Sequence, residues 1–258
     1  MNMDMDMDMD ICNFMNKKII LRTDFNVPIS KNKISSTKRI DASLETMQYI
    51  LNKNPQQLII ISHLGRPNGI DNNLSLEPVR KYLVKILNKE VDLCYLHKIK
   101  ENKNRIVLLE NIRFYPEETE ILDTTNNFRK LLTSIGDVFI NDAFGCCHRK
   151  HSSIVGINTP YKFPGLLLNK EINYLSKSLL GKEKKTLILG GSKISDKIKL
   201  IENLIPKIDN ILIGGGMSFT FLKSKGIKIG KSLLEKDYIN KIPKLLELPK
   251  KYYAYEYV

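Results

Sequence analysis

Only eight of the 41 basic residues in this chain are arginine, so each arginine carries information. Four of them, Arg39, Arg66, Arg113 and Arg149, fall at or near the ends of apolar runs. Asp24, Asn26, His63, Asn141, Asp142 and His148 stand at the same kind of position. A guanidinium binds phosphate or carboxylate oxygens through a planar fork of N–H donors. Four of them on one face would make a receptor for a small phosphorylated or carboxylated anion. A second set is of another kind: GGSK at 190–193, Lys197 in SDK, and GGG at 214–216. Glycines after a strand let backbone N–H groups approach an anion, and a nearby lysine adds charge. The spacing is neither that of a P-loop nor that of a dinucleotide fingerprint.

The elements that must position these residues follow one rhythm. Apolar runs at 18–27, 58–62, 105–109 and 137–140 read as strands. Amphipathic stretches at 41–53, at 126–135 and after Ser75 read as helices, with Leu44, Met47 and Leu51 or Leu76, Val79, Leu83 and Ile86 on one side. The Pro- and Gly-bearing segment 160–169 interrupts the rhythm and leads to a helix at 170–180. Strands at 186–189 and 210–213 then alternate with helices at 195–208 and 217–225. Strand–helix alternation predicts an α/β fold with mainly parallel sheets, whose ligands sit beyond the carboxyl ends of the strands. Asp24 and Asn26, two apart on the first predicted strand, would share a face.

Composition excludes several classes. With 42% hydrophobic and 27% charged residues, the 258-residue chain is neither collagen-like nor wholly disordered. No apolar run reaches the ~18 residues of a membrane span. The net charge of +13 calls for an anionic partner. It comes mostly from lysines scattered along the chain, so a small phosphorylated ligand is expected and nucleic acid is not. Four cysteines without CxxC spacing give no zinc or disulfide framework, and a cytoplasmic location is expected. The MNMDMDMDMD start has no apolar stretch of a signal peptide. Residues 1–14 are expected to be a disordered tail. Taken singly, His151 reads as a surface residue, Asp142 as a cap or turn residue, and Cys146 and Cys147 as packing residues.

Seven segments stand in order: LRTDFNVP (21–28), SHLGRP (62–67), LLENIRFYPEE (108–118), NDAFGCCHRKHSS (141–153), LILGGSKISDKI (187–198), ILIGGGMSFTFLKSKG (211–226) and GKSLLEKD (230–237). Together they resemble the phosphoglycerate kinase family over roughly residues 14–240. The resemblance implies two Rossmann-like three-layer domains with parallel sheets, joined by a helix. Residues 15–168 would bind the triose phosphate, 169–183 would form the joint, and 184–258 would be part of the nucleotide domain. It implies phosphoryl transfer between 1,3-bisphosphoglycerate with ADP and 3-phosphoglycerate with ATP, in a monomer that closes about its joint.

By the same resemblance, substrate is held by Asp24, Phe25, Asn26, Arg39, His63, Leu64, Gly65, Arg66, Arg113 and Arg149. The nucleotide, ATP or ADP with Mg2+, is held by Gly190, Gly191, Lys193, Lys197, Gly214, Gly215 and Gly216. Arg39 and Lys193 would serve the transferring phosphoryl group, since such transfer rests on positioning and charge stabilisation. No protein metal ligand is expected among these residues. The family's GGGD-type loop, whose acid helps hold the Mg-nucleotide, and its GPxGxFE-type segment are not in this sequence, and 249–258 is expected to match nothing in the family. The chain is therefore expected to be a shortened form, with 3-phosphoglycerate binding without turnover as the alternative and nucleic-acid binding as a weaker one. The family usually has small residues where Cys146 and Cys147 stand, so the two thiols are a departure.

Overall fold

The computed structural model describes residues 9, 12–30, 33–243 and, by backbone alone, 251–254. The chain separates into two compact units, residues 1–172 and 173–258.

The first unit is built on a six-stranded parallel sheet. Its strands are β1 (Lys18–Arg22), β4 (Gln57–Ile61), β5 (Asp92–Cys94), β6 (Ile106–Leu109), β7 (Val138–Asn141) and β8 (Tyr161–Pro164), in the order β5-β6-β4-β1-β7-β8. A two-stranded hairpin, β2 (Ile29–Ser30) with β3 (Lys33–Ile34), stands apart. The helices are α1 (Lys38–Ala42), α2 (Leu44–Asn52), α3 (Glu77–Leu87), α4 (Thr125–Ser134), α5 (Ser152–Val155) and α6 (Leu166–Leu180), the last running past the boundary between units.

Side chains alternate across a strand, so a sheet with two buried faces needs apolar residues at every position. QLIII and IVLL meet that demand. Ile19, Leu21, Leu58, Ile60, Leu108 and Ile140 face one core with Met47 and Ile50 of α2 and Val79 and Leu83 of α3. Ile20, Ile59, Val107 and Phe139 face the other with Phe128 and Leu132 of α4. Helices therefore cover both sides, as the α/β reading requires.

The second unit has strands β9 (Thr186–Gly190), β10 (Asn210–Gly214) and β11 (Lys251–Ala254), parallel in the order β11-β10-β9, with helices α7 (Ile198–Leu204) and α8 (Ser218–Ser224). Leu189, Ile201, Ile211, Ile213 and Phe221 pack together as its core.

Several expectations change. β1 stops at Arg22, because its partners β4 and β7 end at Ile61 and Asn141; Asp24 and Asn26 therefore lie in a loop and not on a strand. β5 and β8 were not expected: they are short edge strands with weak apolar patterns. The helix expected at 41–53 is two helices broken at Ser43. The helix expected at 195–208 spans Ile198–Leu204, followed by a 3-10 turn holding Pro206. The expected disordered tail is too long. Phe14 is fully buried against Tyr49 and Phe163, and Met9 and Cys12 are buried in the same core. The rest of MNMDMDMDMD lies outside the described residues. Residues 251–254, expected to match nothing, pair with β10 as a third parallel strand.

Candidate functional site

The carboxyl ends of β1, β4, β6 and β7 release four loops, and hydrogen bonds tie them into one surface. The Ser62 hydroxyl donates to the Thr23 carbonyl (3.0 Å) and accepts from the Phe25 amide (2.8 Å), which ends the β-ladder and turns the loop 23–28 outward. Asn26 Oδ1 accepts from the Gly65 amide (2.9 Å), and the Gly65 carbonyl accepts from Arg113 (2.6 Å). Gly65 has φ of +61°, and a Cβ there would meet Leu74 at 2.8 Å, so both conformation and space require glycine. Asn111 completes the weave by bonding the Leu64 amide and carbonyl and the Arg113 amide.

Two recesses lie on this surface, one basic and one of mixed charge. Arg66, Arg113, Arg149, Pro67, Thr119 and His151 line a cavity of about 360 Å³. Arg113 is 9% exposed, and its Nε is buried with no partner in the protein. A buried donor without an acceptor is costly, so this cavity is suited to an anion. The other recess, about 250 Å³, is lined in part by Asp24, Lys38, Arg39, Gly145 and Asp142. There Arg39 donates to Asp24 at 2.8 Å, its own side chain 54% exposed. His63 Nε2 lies 4.0 Å from the same carboxylate. Burial, then Arg22 and Arg113, push the His63 pKa down to about 2, so the ring is neutral at pH 7.

Of the residues expected at the substrate, Asp24, Arg39 and His63 come together, Asn26, Gly65 and Arg113 are linked, and Arg66, Arg113 and Arg149 share one cavity. Arg39 lines the other recess. Phe25 and Leu64 have side chains buried in the core and amides engaged by Ser62 and Asn111, so they set the loops' course. His151 is corrected. It is 8% exposed, and burial followed by Arg113 and Arg22 lowers its pKa to about 4. Asp142 caps: its Oδ1 accepts from the Leu167 and Leu168 amides at the start of α6.

Sequence reasoning missed Arg22 and Glu118. Both are completely buried and lie 3.7 Å apart beneath the arginine cluster. Arg22 also donates to Ser153 (2.7 Å), and Ser153 donates to Glu118 (2.6 Å). The signal was a charge closing the apolar run KIILR.

In the second unit, the turns after β9 and β10 approach each other. Gly191 has φ of +146° and Gly215 φ of +70°, and a Cβ on Gly215 would stand 2.9 Å from the Gly191 carbonyl oxygen. The Met217 amide donates to that same oxygen. A Cβ on Gly191 would stand 3.3 Å from Lys197 Nζ, whereas one on Gly190 would meet nothing within 4 Å. Open backbone beside an ammonium fits a nucleotide's phosphates. A metal fits less well, since the Glu235 carboxylate that reaches this loop already accepts from the Ile194 and Ser195 amides and the Ser195 hydroxyl.

A parallel α/β unit with an arginine-lined recess beyond its strand ends, followed by a second parallel α/β unit with glycine turns, belongs to the class of open-sheet α/β folds whose ligands sit beyond the carboxyl ends of the strands. The sequence model of the phosphoglycerate kinase family matches residues 9–254, and the chain belongs to that family. It is 42% identical over 257 residues to the phosphoglycerate kinase of Kluyveromyces lactis, covering 91% of this chain and 62% of that one. It is 44% identical to that of Dictyostelium discoideum, covering 85% and 58%. The phosphoglycerate kinase structure from Coxiella burnetii superposes with a TM-score of 0.82 at 34% identity, over 93% of this chain and 62% of that one. That from Pyrococcus horikoshii OT3 gives 0.77 at 29% identity. The chain thus spans about three fifths of the length of these relatives. The family match reaches into β11, a second correction to the expectation that 249–258 matches nothing.

Proposed function

We propose that the first unit binds the triose-phosphate substrate of the phosphoglycerate kinase reaction and that the second unit binds the phosphates of ADP or ATP. The observation that carries the reading is the cavity shared by Arg66, Arg113 and Arg149, with a buried and unpaired Arg113 Nε. Three guanidiniums suit the phosphate and carboxylate oxygens of 3-phosphoglycerate. Asp24 and Asn26 would orient its hydroxyl, and the half-exposed Arg39 is free to leave Asp24 for a developing phosphoryl charge. Neutral His63 would serve as a hydrogen-bonding group and not as a cation. On the nucleotide side, Gly190, Gly191, Gly214, Gly215 and Gly216 would offer backbone, and Lys193 and Lys197 charge. Mg2+ supplies charge neutralisation of the phosphates when bound with the nucleotide. The family relationship supports this reading.

Calorimetry with 3-phosphoglycerate tests it. Binding is expected and should weaken with salt. Arg113→Met should cost about 2–5 kcal/mol of affinity, as for a buried charge contact, and Arg39→Ala about 1 kcal/mol or less, as for an exposed one. No binding, or equal affinity in Arg113→Met, would overturn the assignment. For these 258 residues assayed by themselves, binding without turnover is expected, because the acidic metal-holding loop implied by the family is not among them. A coupled assay reaching the rate of a longer relative, and losing it on Lys193→Ala, would refute that expectation.

A further inference from the structure

Of the eight arginines, Arg66, Arg113 and Arg149 line the basic cavity, and four others are held elsewhere. Arg22 pairs with Glu118, Arg39 with Asp24, Arg80 with Glu77, and Arg105 donates to the Asn54 side-chain oxygen. Arg129 is the eighth. It lies on α4, and its Nε donates to Ser152 Oγ at 3.1 Å. Among the described residues no carboxylate pairs with it. Gly156 lets its stem lie against the backbone, since a Cβ there would stand 2.5 Å from Arg129 Cγ. The guanidinium is thus pinned at one nitrogen, with the two terminal nitrogens left as donors.

Arg129 lines a recess of about 500 Å³ with Asn126, Lys130, Thr133, Ser134 and Asn158. The α4 members are three, four, seven and eight residues from Asn126, so they form one stripe along the helix. Thr133 Oγ1 accepts from the Asn158 amide at 3.0 Å, which ties the loop after α5 to that stripe. Lys162 donates to Asn158 Oδ1 at 2.8 Å, which leaves the Asn158 side-chain N–H groups as donors. No carboxylate and no aromatic ring lines the recess, and it shares no lining residue with the basic cavity.

We propose that this recess binds a small phosphate monoester carrying hydroxyl groups, at a site separate from the triose-phosphate cavity and independent of that reading. The terminal nitrogens of Arg129 take two phosphate oxygens, and the Lys130 ammonium supplies the second positive charge that a dianion calls for. The volume lies in the range of small-molecule sites, ~300–1,000 Å³. The amides of Asn126 and Asn158 suit hydroxyl groups, whereas a nucleobase or an apolar ligand meets no ring to stack on. The carbonyls at the end of α4 disfavour an anion chiefly over the last turn, and Arg129 and Lys130 precede it.

Ribose 5-phosphate is the probe, titrated into the isotope-labelled full chain and followed by the backbone amide resonances of Gly156 and Asn158. Both should shift in wild type and in Arg113→Met, and ribose should leave them in place. Arg129→Gln should weaken the affinity about tenfold, as loss of a bidentate charged contact does. If circular dichroism shows Arg129→Gln unfolded, Lys130→Gln, a change at an exposed side chain, should weaken it several-fold and decides instead. No shift in wild type, an equal shift with ribose, a shift lost in folded Arg113→Met, or unchanged affinity in the deciding variant overturns the site.

Discussion

The guanidinium of Arg22 and the carboxylate of Glu118 lie 3.7 Å apart, and neither side chain is exposed at all. Arg22 closes the central strand β1, and Glu118 lies in a 3-10 turn beyond β6. The Ser153 amide and hydroxyl, at the start of α5, both donate to Glu118. The pair thus joins three loops under the basic cavity. A surface arginine would be free to adapt, whereas this one is held.

Removing one member of such a pair leaves the other charge buried and unpaired, at a cost of about 3–5 kcal/mol. Glu118→Ala should therefore lower stability by that order in urea unfolding. Glu118→Gln, which keeps the shape and a hydrogen-bond acceptor, should cost less. Equal midpoints for Glu118→Ala and wild type would show that the pair does not support the fold.

His151 should make the protein acid-sensitive. Its pKa falls from 6.5 to about 4 on folding, through burial and the nearby arginines. Below about pH 6.5 the unfolded chain takes up a proton that the folded one refuses, so stability falls with pH. The loss is about 1.4 kcal/mol per unit until the folded pKa is reached, then levels off. Urea unfolding between pH 7.5 and 4.5 should show a shallower decline in His151→Asn than in wild type. Parallel curves would remove His151 as the cause.

Gly165 is required by space. It lies between β8 and α6, and a Cβ there would overlap the Asp142 carboxylate that caps α6. Gly165→Ala should cost about 1–3 kcal/mol, as overpacking does. Helical circular dichroism followed through urea unfolding measures it; an unchanged midpoint would mean that the cap moves aside freely.

Phe14 tests whether the segment before β1 belongs to the core. It is fully buried, with its ring 6.3 Å from Tyr49 in an edge contact and 6.5 Å from Phe163. Phe14→Ala should destabilise by about 3–5 kcal/mol. A loss below about 0.5 kcal/mol, typical of a surface change, would restore the view of a loose tail.

Local pattern alone made QLIII, IVLL and VFIN legible as strands, because a strand buried on both faces must be apolar throughout. The same holds for α2, α3 and α4, whose apolar residues recur at helical spacing. The arginines at strand ends were legible because few residue types bind phosphate so well. Edge strands such as YKFP carried no such mark, since half of their surface stays exposed. What only the tertiary structure decided is burial. Arg22 meets Ser153, 131 residues away in sequence, and Cys146 meets His63, 83 residues away. Neither contact leaves a periodic trace, because each depends on where separate loops end and not on neighbours along the chain. Phe14 follows the same rule: a lone aromatic beside a polar run becomes core only because β8 and α2 bring Phe163 and Tyr49 to it.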